Sequence, residues 1–248
     1  MKPLVIVLLL LTAISAYPQE SVKEIYPAWQ KPITLNPEEE KQFQALAAKT
    51  LQSGGYDALT PAEKTLFDKF GEQENYYDSQ GPGCSWYCGG SVESVSASST
   101  LTAQGGNTYA AQNAHDFSYK NAWAEGAAGY GIGEYLLYKF APECPRVNEV
   151  IIANGYVKNE TAWKNNSRVK KIKLYVNDKP YAILHLTDSR SVQGFKIDPV
   201  GNGDRDNPEN LKKMPGWSLK FEIMEVYPGA KYDDVVISEL FFEGIDVH

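Results

Sequence analysis

The sequence predicts an all-β fold, a two-layer antiparallel β-sandwich preceded by a small α-helical hairpin. Three observations carry this. From residue 91 onward, short segments alternate apolar and polar residues between turn signals, with no long helix among them. Helical spacing is confined to residues 36–70. The 248-residue chain is also long enough for one principal core plus an appendage.

The chain begins with Met1 and Lys2, an unbroken apolar run over residues 4–11 and short or small residues over 12–16. That is the pattern of a secretory signal peptide, with cleavage expected near Ala16. The apolar run is about half of the ~20 residues a membrane-spanning helix needs, so export to a secreted or periplasmic location is expected rather than an integral membrane protein. Residues 17–75 read as an extended lead-in, rich in proline up to residue 35, followed by the helical hairpin. Asn36-Pro37-Glu38-Glu39-Glu40 supplies a cap, a proline at the first helical position and acidic residues at the positive helix end. Phe43, Leu46, Ala47 and Leu51 follow at helical spacing. Gly54-Gly55 stops that helix, and Thr60-Pro61-Ala62-Glu63 opens a second one with a capping-box pattern. Residues 76–90 read as a cysteine-containing linker held by cysteine chemistry rather than by a hydrophobic core. Residues 91–248 form the sandwich, with strands expected over 91–101, 134–140, 147–157, 168–176, 179–186, 191–197, 217–226 and 234–242. Asn177-Asp178 is a hairpin signal between two of them.

Lysines and arginines number 24 against 31 aspartates and glutamates; without Lys2 of the leader the balance is 23 against 31, a net charge of −8 with His neutral. Such a surface repels phosphate backbones, which argues against nucleic acid as a partner. Cys84, Cys88 and Cys144 enter an oxidising compartment on export, so a structural disulfide is expected, either Cys84 with Cys88 or one of them with Cys144. Only three histidines are present, at 115, 185 and 248, too few for a zinc site of the usual four ligands. No nucleophile, base and acid fall into a recognisable order. His115 beside Asp116 is the one notable neighbour pair, and such neighbours usually point apart. Glu125 and Glu134 are the nearest approach to a glycosidase carboxylate pair, without a distinctive context.

One stretch is more specific than the rest: Asn113-Ala-His-Asp116-Phe-Ser-Tyr-Lys-Asn121-Ala122-Trp123-Ala-Glu125-Gly126, followed by glycines at 129, 131 and 133. Asn154-Gly155-Tyr156, then Trp163, Asn166, Arg168 and Lys170, and finally Val236-Ile237-Ser238-Glu239-Leu240 with Phe242 complete the pattern. Together these resemble the discoidin family, the coagulation factor five/eight C-type modules of the galactose-binding-domain-like superfamily. The combination is similar to the branch found as the translocation domain of a streptococcal NAD-glycohydrolase toxin. The resemblance covers roughly residues 91–245 and implies a jelly-roll-like sandwich that is non-catalytic and recognises glycan.

It also implies a structural Ca2+ in the loop. Asp116 would be a side-chain ligand, Asn121 would stand where the family has Thr, Ala114 and Tyr119 would offer carbonyls, and Glu239 would be the distant carboxylate. An oxygen-only set of this kind is what calcium prefers. Phe117 in place of Gly and Asn121 in place of Thr depart from the family pattern, so closure of the loop by hydrogen bonds alone, with Asp116 capping backbone amides, is the alternative.

Sugar recognition needs aromatic faces and planar polar groups on exposed loops. Two patches qualify. One carries Tyr156, Trp163, Asn165, Asn166 and Arg168; the other, the turn over residues 227–234, carries Tyr227 and Tyr232. Arg168 suits an internal carboxylate as well as a sugar. The lysines at 170, 171 and 173 read as a solvent-facing strand edge. The expected function is an exported binding module for carbohydrate or glycoconjugates, and the alternative is a protein partner docking through the helical hairpin.

Overall fold

The structure, a computed structural model, describes residues 22–52, 54–71, 73–80 and 85–247. The expected signal peptide and Cys84 lie outside these residues. In chain order the strands are β1 (Lys23–Ile25), β2 (Trp29–Pro32), β3 (Ser94–Ala97), β4 (Trp123–Ala124), β5 (Tyr135–Phe140), β6 (Val147–Asn154), β7 (Arg168–Val176), β8 (Lys179–His185), β9 (Ser191–Val200), β10 (Trp217–Tyr227) and β11 (Val236–Gly244). The α-helices are α1 (Pro37–Gln52), α2 (Pro61–Phe70), α3 (Glu160–Asn165) and α4 (Pro208–Leu211). The strands form a six-stranded sheet ordered β1-β8-β7-β10-β5-β3 and a five-stranded sheet ordered β2-β9-β6-β11-β4. All pairings are antiparallel except β1 with β8.

The inward residues of both sheets make one core, including Tyr138, Phe140, Val150, Ile152, Ile172, Leu174, Phe195, Phe221, Leu240 and Phe242. The Asn177-Asp178 hairpin forms as expected, with φ of 48° and 62°, the left-handed pair a two-residue turn needs. The α1–α2 hairpin has its own small core of Leu46, Leu59, Phe70 and Tyr76. Asn36 Oδ1 accepts the Glu39 N–H at 2.8 Å, and Thr60 and Glu63 close the reciprocal cap at the start of α2.

Several expectations change. The lead-in is not merely extended: β1 and β2 add a strand to one edge of each sheet. The first sandwich strand spans residues 94–97 alone, because the chain then turns so that Leu101 N–H reaches the Ala124 carbonyl at 2.9 Å. The basic strand β7 is not a sheet edge; it lies between β8 and β10, and Lys170 and Lys171 both pair with Glu225. The linker around Trp86 is held by the hydrophobic core after all. Trp86 is fully buried, packs against Phe140 and Phe242 and donates its indole N–H to the Pro145 carbonyl at 3.2 Å. A Cβ on Gly90 would lie 2.5 Å from its ring, so that glycine serves the close approach of the indole. Cys144 is a buried free thiol 3.3 Å from the Ser91 carbonyl, so the expected disulfide does not include it.

Trp86 therefore belongs to the sandwich. Trp86→Ala is expected to cost about 3–5 kcal/mol in urea unfolding, and a chain beginning at residue 91 is expected to lose cooperative unfolding. An unchanged denaturation midpoint in either would contradict this assignment of the core.

Candidate functional site

Two features of the loop end of the sandwich could carry chemistry: the Asp116 loop and an open cleft beside α3.

In the loop, His115 and Asp116 point apart as expected. The His115 ring lies against Tyr87, Phe117, Tyr138 and Phe242, with Nδ1 2.9 Å from the Leu240 carbonyl, and burial lowers its basicity. Asp116 turns outward. Its Oδ1 accepts the Ser118 N–H at 3.0 Å and its Oδ2 accepts the Asn121 amide at 2.7 Å. Asn121 thus braces Asp116 through its nitrogen. The Ser118 N–H also donates to Glu239 Oε1 at 2.7 Å, so β11 and the loop meet at one amide. Phe117 takes φ = 58°, the conformation a glycine would adopt, at a cost of about 1–2 kcal/mol for a residue with a Cβ. Its ring stacks edge-on against Tyr87 at 4.8 Å, which offsets part of that cost.

Glu239 is fully buried, and its Oε2 has no hydrogen-bond partner. Asp116 beside it is also an acceptor, so the two carboxyls satisfy each other only by sharing a proton. Burial first, then Asp116 and Asp78, hold the Glu239 carboxyl well above its ordinary 4.5. Among the described residues no group of three or more His, Cys, Asp and Glu side chains is placed to hold a metal ion. Two expected donors are turned elsewhere, the Ala114 carbonyl accepting the Tyr138 hydroxyl at 3.3 Å and Asn121 presenting its nitrogen, so a cation between Asp116 and Glu239 would draw its other ligands from other oxygens of the loop. A fully buried carboxylate oxygen without a donor fits a hard cation of the calcium type, which takes oxygen ligands.

The cleft has a volume of about 360 Å³ and is lined by Leu101, Gln104, Asn107, Tyr109, Tyr156, Lys158, Asn159, Thr161, Ala162, Asn165, Asn166, Tyr232 and Asp234. It brings together Tyr156, Asn165 and Asn166 of one expected patch and Tyr232 of the other. The carbonyl of Asn165 accepts the N–H groups of Lys231 and Tyr232 at 3.1 and 2.9 Å, which draws the 227–234 turn onto the α3 end. Residues 156–168 are not a plain loop. Asn159 Oδ1 accepts the Ala162 N–H at 2.8 Å and caps the short helix α3. Tyr156 is mostly buried in a cluster with Ala122, Ala124 and Val236, and Lys158 Nζ sits 4.3 Å from its ring centroid. Tyr232 is 42% exposed.

Trp163, Arg168 and Tyr227 do not line the cleft. Arg168 makes the internal pairing, a two-pronged contact to Asp188 at 2.7 and 3.1 Å, and its guanidinium lies 4.6 Å from the Trp163 ring. Trp163 donates to the Asn154 carbonyl at 2.9 Å and Tyr227 to the Leu186 carbonyl at 3.1 Å. Tyr109, Gln104 and Asn107 carry no sequence signal; they lie in an irregular stretch where no periodicity marks an exposed face. Glu125 and Glu134 form no reactive pair. Glu125 is buried and accepts the Val235 and Ala127 N–H groups at 3.2 and 2.8 Å, while Glu134 accepts from Ser98 Oγ at 2.5 Å. Trp123 is core, as expected.

A carboxyl with a raised pKa binds its proton more tightly in the folded state. Its stabilising effect is complete below about 4.5 and drains away as pH rises toward the folded value. In divalent-free buffer, Glu239→Gln is thus expected to melt above the wild type at pH 8, with the gap closing toward pH 4.5. A wild type more stable than the variant at pH 8 would contradict the raised pKa of the buried carboxyl.

The model of the NAD glycohydrolase translocation F5/8 type C domain family matches residues 86–243. No curated protein matches the chain. Similar solved structures include the CBM32-1 and CBM32-2 domains of Clostridium perfringens ZmpB, at 10% identity and a TM-score of 0.46, covering 91% of this chain and 43% of that one. The same domains in complex with GalNAc align at 11% identity and a TM-score of 0.45, covering 91% and 41%. The family 32 carbohydrate-binding module from Streptococcus pneumoniae EndoD aligns at 10% identity and a TM-score of 0.43, covering 62% and 95%. The chain spans less than half the length of the two Clostridium chains. The family match takes in 158 of the 248 residues and begins at Trp86, where the sandwich core begins. The chain belongs to the NAD glycohydrolase translocation F5/8 type C domain family.

Proposed function

We propose that this protein is an exported, non-catalytic module that binds carbohydrate or a glycosylated surface in the cleft between α3 and the 227–234 turn. The observation that carries the proposal is the composition of that cleft. Tyr109 and Tyr232 supply aromatic faces for the apolar side of a pyranose, over a floor made by the buried Tyr156. Gln104, Asn107, Asn159, Asn165 and Asn166 supply planar amides that both donate to and accept from hydroxyls. The volume is that of a small-ligand site. Asp234 is the one carboxylate lining it, whereas glycoside hydrolysis uses two flanking the bond. The leader over residues 1–16 supports export, and among the described residues no helix is long and apolar enough to cross a membrane.

The same proposal gives the Asp116 loop a structural Ca2+, held by Asp116 and Glu239. Bound there, the ion would supply positive charge that compensates two adjacent carboxylates and order the loop.

A second reading, a protein partner docking on the helical hairpin, is favoured by one observation. A groove of about 220 Å³ beside α1 is lined by Phe43, Leu46, Ala47, Leu51, Phe67 and Phe70, and Leu51 is 88% exposed.

A glycan array with the mature chain, followed by calorimetry with galactose and N-acetylgalactosamine, tests the first reading. Tyr232→Ala is expected to weaken the best glycan by up to about tenfold, in line with loss of one aromatic stacking face worth about 0.5–1.5 kcal/mol. Tyr227→Phe, outside the cleft, is expected to leave binding unchanged. Retention on no glycan, or equal affinity in the Tyr232 variant, would overturn it. Binding of a protein partner that is lost with Leu51→Asp would support the second.

A further inference from the structure

Residues 75–80 lie outside the family-matched span, yet they are laced to the Asp116 loop. Ser79 donates its N–H to the Phe117 carbonyl at 3.0 Å, Tyr119 donates to the Tyr77 carbonyl at 2.8 Å, and Asp78 pairs with Ser118 in an antiparallel bridge. Ser118, in the middle of this ladder, is the residue whose amide serves both Asp116 and Glu239.

The other end of the same segment belongs to the hairpin. The Tyr76 ring packs against Phe43 and Phe70, and its hydroxyl accepts the Asn36 N–H at 2.7 Å. Tyr77 donates its hydroxyl to Glu40 of α1 at 2.8 Å. An unbroken line of contacts therefore runs from α1 through Tyr77 and Ser79 to the two carboxyls. Among the described residues, the buried side-chain polar atoms without a partner include two from this segment, Ser79 Oγ and Gln80 Nε2, and one from the carboxyl behind it, Glu239 Oε2. Glu239 itself is fully buried.

We propose that a divalent cation of the calcium type at Asp116 and Glu239 fastens the helical hairpin to the sandwich through residues 77–79, so that hairpin docking depends on the cation. The inference rests on the reading that this loop takes calcium. A cation fixing both carboxylates also fixes the Ser118 amide between them, and with it the edge on which the ladder forms. Linkage then works in both directions: whatever the cation adds to the ladder, the ladder adds to cation affinity.

The test uses the full mature chain, with calorimetric titration of calcium and hydrogen exchange by mass spectrometry in calcium and in chelator. Ser79→Pro removes the N–H that reaches Phe117. Tyr77→Phe removes the hydroxyl that reaches Glu40 and leaves the ring in place. Calcium is expected to slow exchange across residues 75–80 and both hairpin helices. Ser79→Pro is expected to weaken calcium binding about tenfold, within the usual range of coupling between sites, and Tyr77→Phe to weaken it less but in the same direction. Glu239→Gln should take up no calcium. Wild-type affinity in both ladder variants, with hairpin exchange indifferent to calcium, would overturn the coupling and leave the loop's calcium reading standing. Absence of calcium uptake by the wild type would overturn both.

Discussion

The buried carboxyl of Glu239 is the constraint around which the loop end of this sandwich is arranged. β11 carries it into the interior, where it is fully buried, and one of its oxygens lacks a partner. An unsatisfied buried acceptor is destabilising by about 1–3 kcal/mol, so its retention implies either a shared proton with Asp116 or a compensating ion. Neighbouring positions on the same strand tie down the rest of the loop end. The Ser238 hydroxyl accepts the Val157 N–H at 3.0 Å and donates to the Gly155 carbonyl at 2.8 Å, and the Leu240 carbonyl meets His115. Three consecutive residues of one strand thereby anchor both the Asp116 loop and the turn that leads into α3.

That anchoring is what gives the cleft a rigid floor. Tyr156 follows Gly155 directly and packs on Val236 of β11, while Lys158 and α3 continue from it along one wall. The opposite wall, with Tyr232 and Asp234, arrives just before β11 begins. A cleft built on a strand and its immediate flanks is pre-ordered, which lowers the entropy that ligand binding must overcome.

Much of this was legible in the residues because the contacts are local. The Asp116, Ser118 and Asn121 hydrogen bonds span five residues, and the paired positive-φ residues at 177 and 178 announce their hairpin directly. The cleft was legible only as two halves, since nothing local says that the Asn165 carbonyl receives Lys231 and Tyr232. Helix α3 was hidden by its six-residue length, too short for a period to show. The strands β1 and β2 were hidden by theirs and by the neighbouring prolines. The glycine-rich surroundings of Trp86 read as a linker, although Gly90 is where the close-packed indole leaves no room for a side chain.

The most direct measurement is the infrared spectrum of the protein followed against pH without divalent ions, taken against Glu239→Gln. The raised Glu239 carboxyl requires a protonated-carboxyl stretching band that persists in the wild type above the ordinary 4.5, is missing from the variant and disappears from the wild type when calcium is added. Identical carboxyl regions in the two proteins at every pH above 4.5 would show Glu239 ionised without a counterion, and a proton held on the buried carboxyl could then not be what closes the loop.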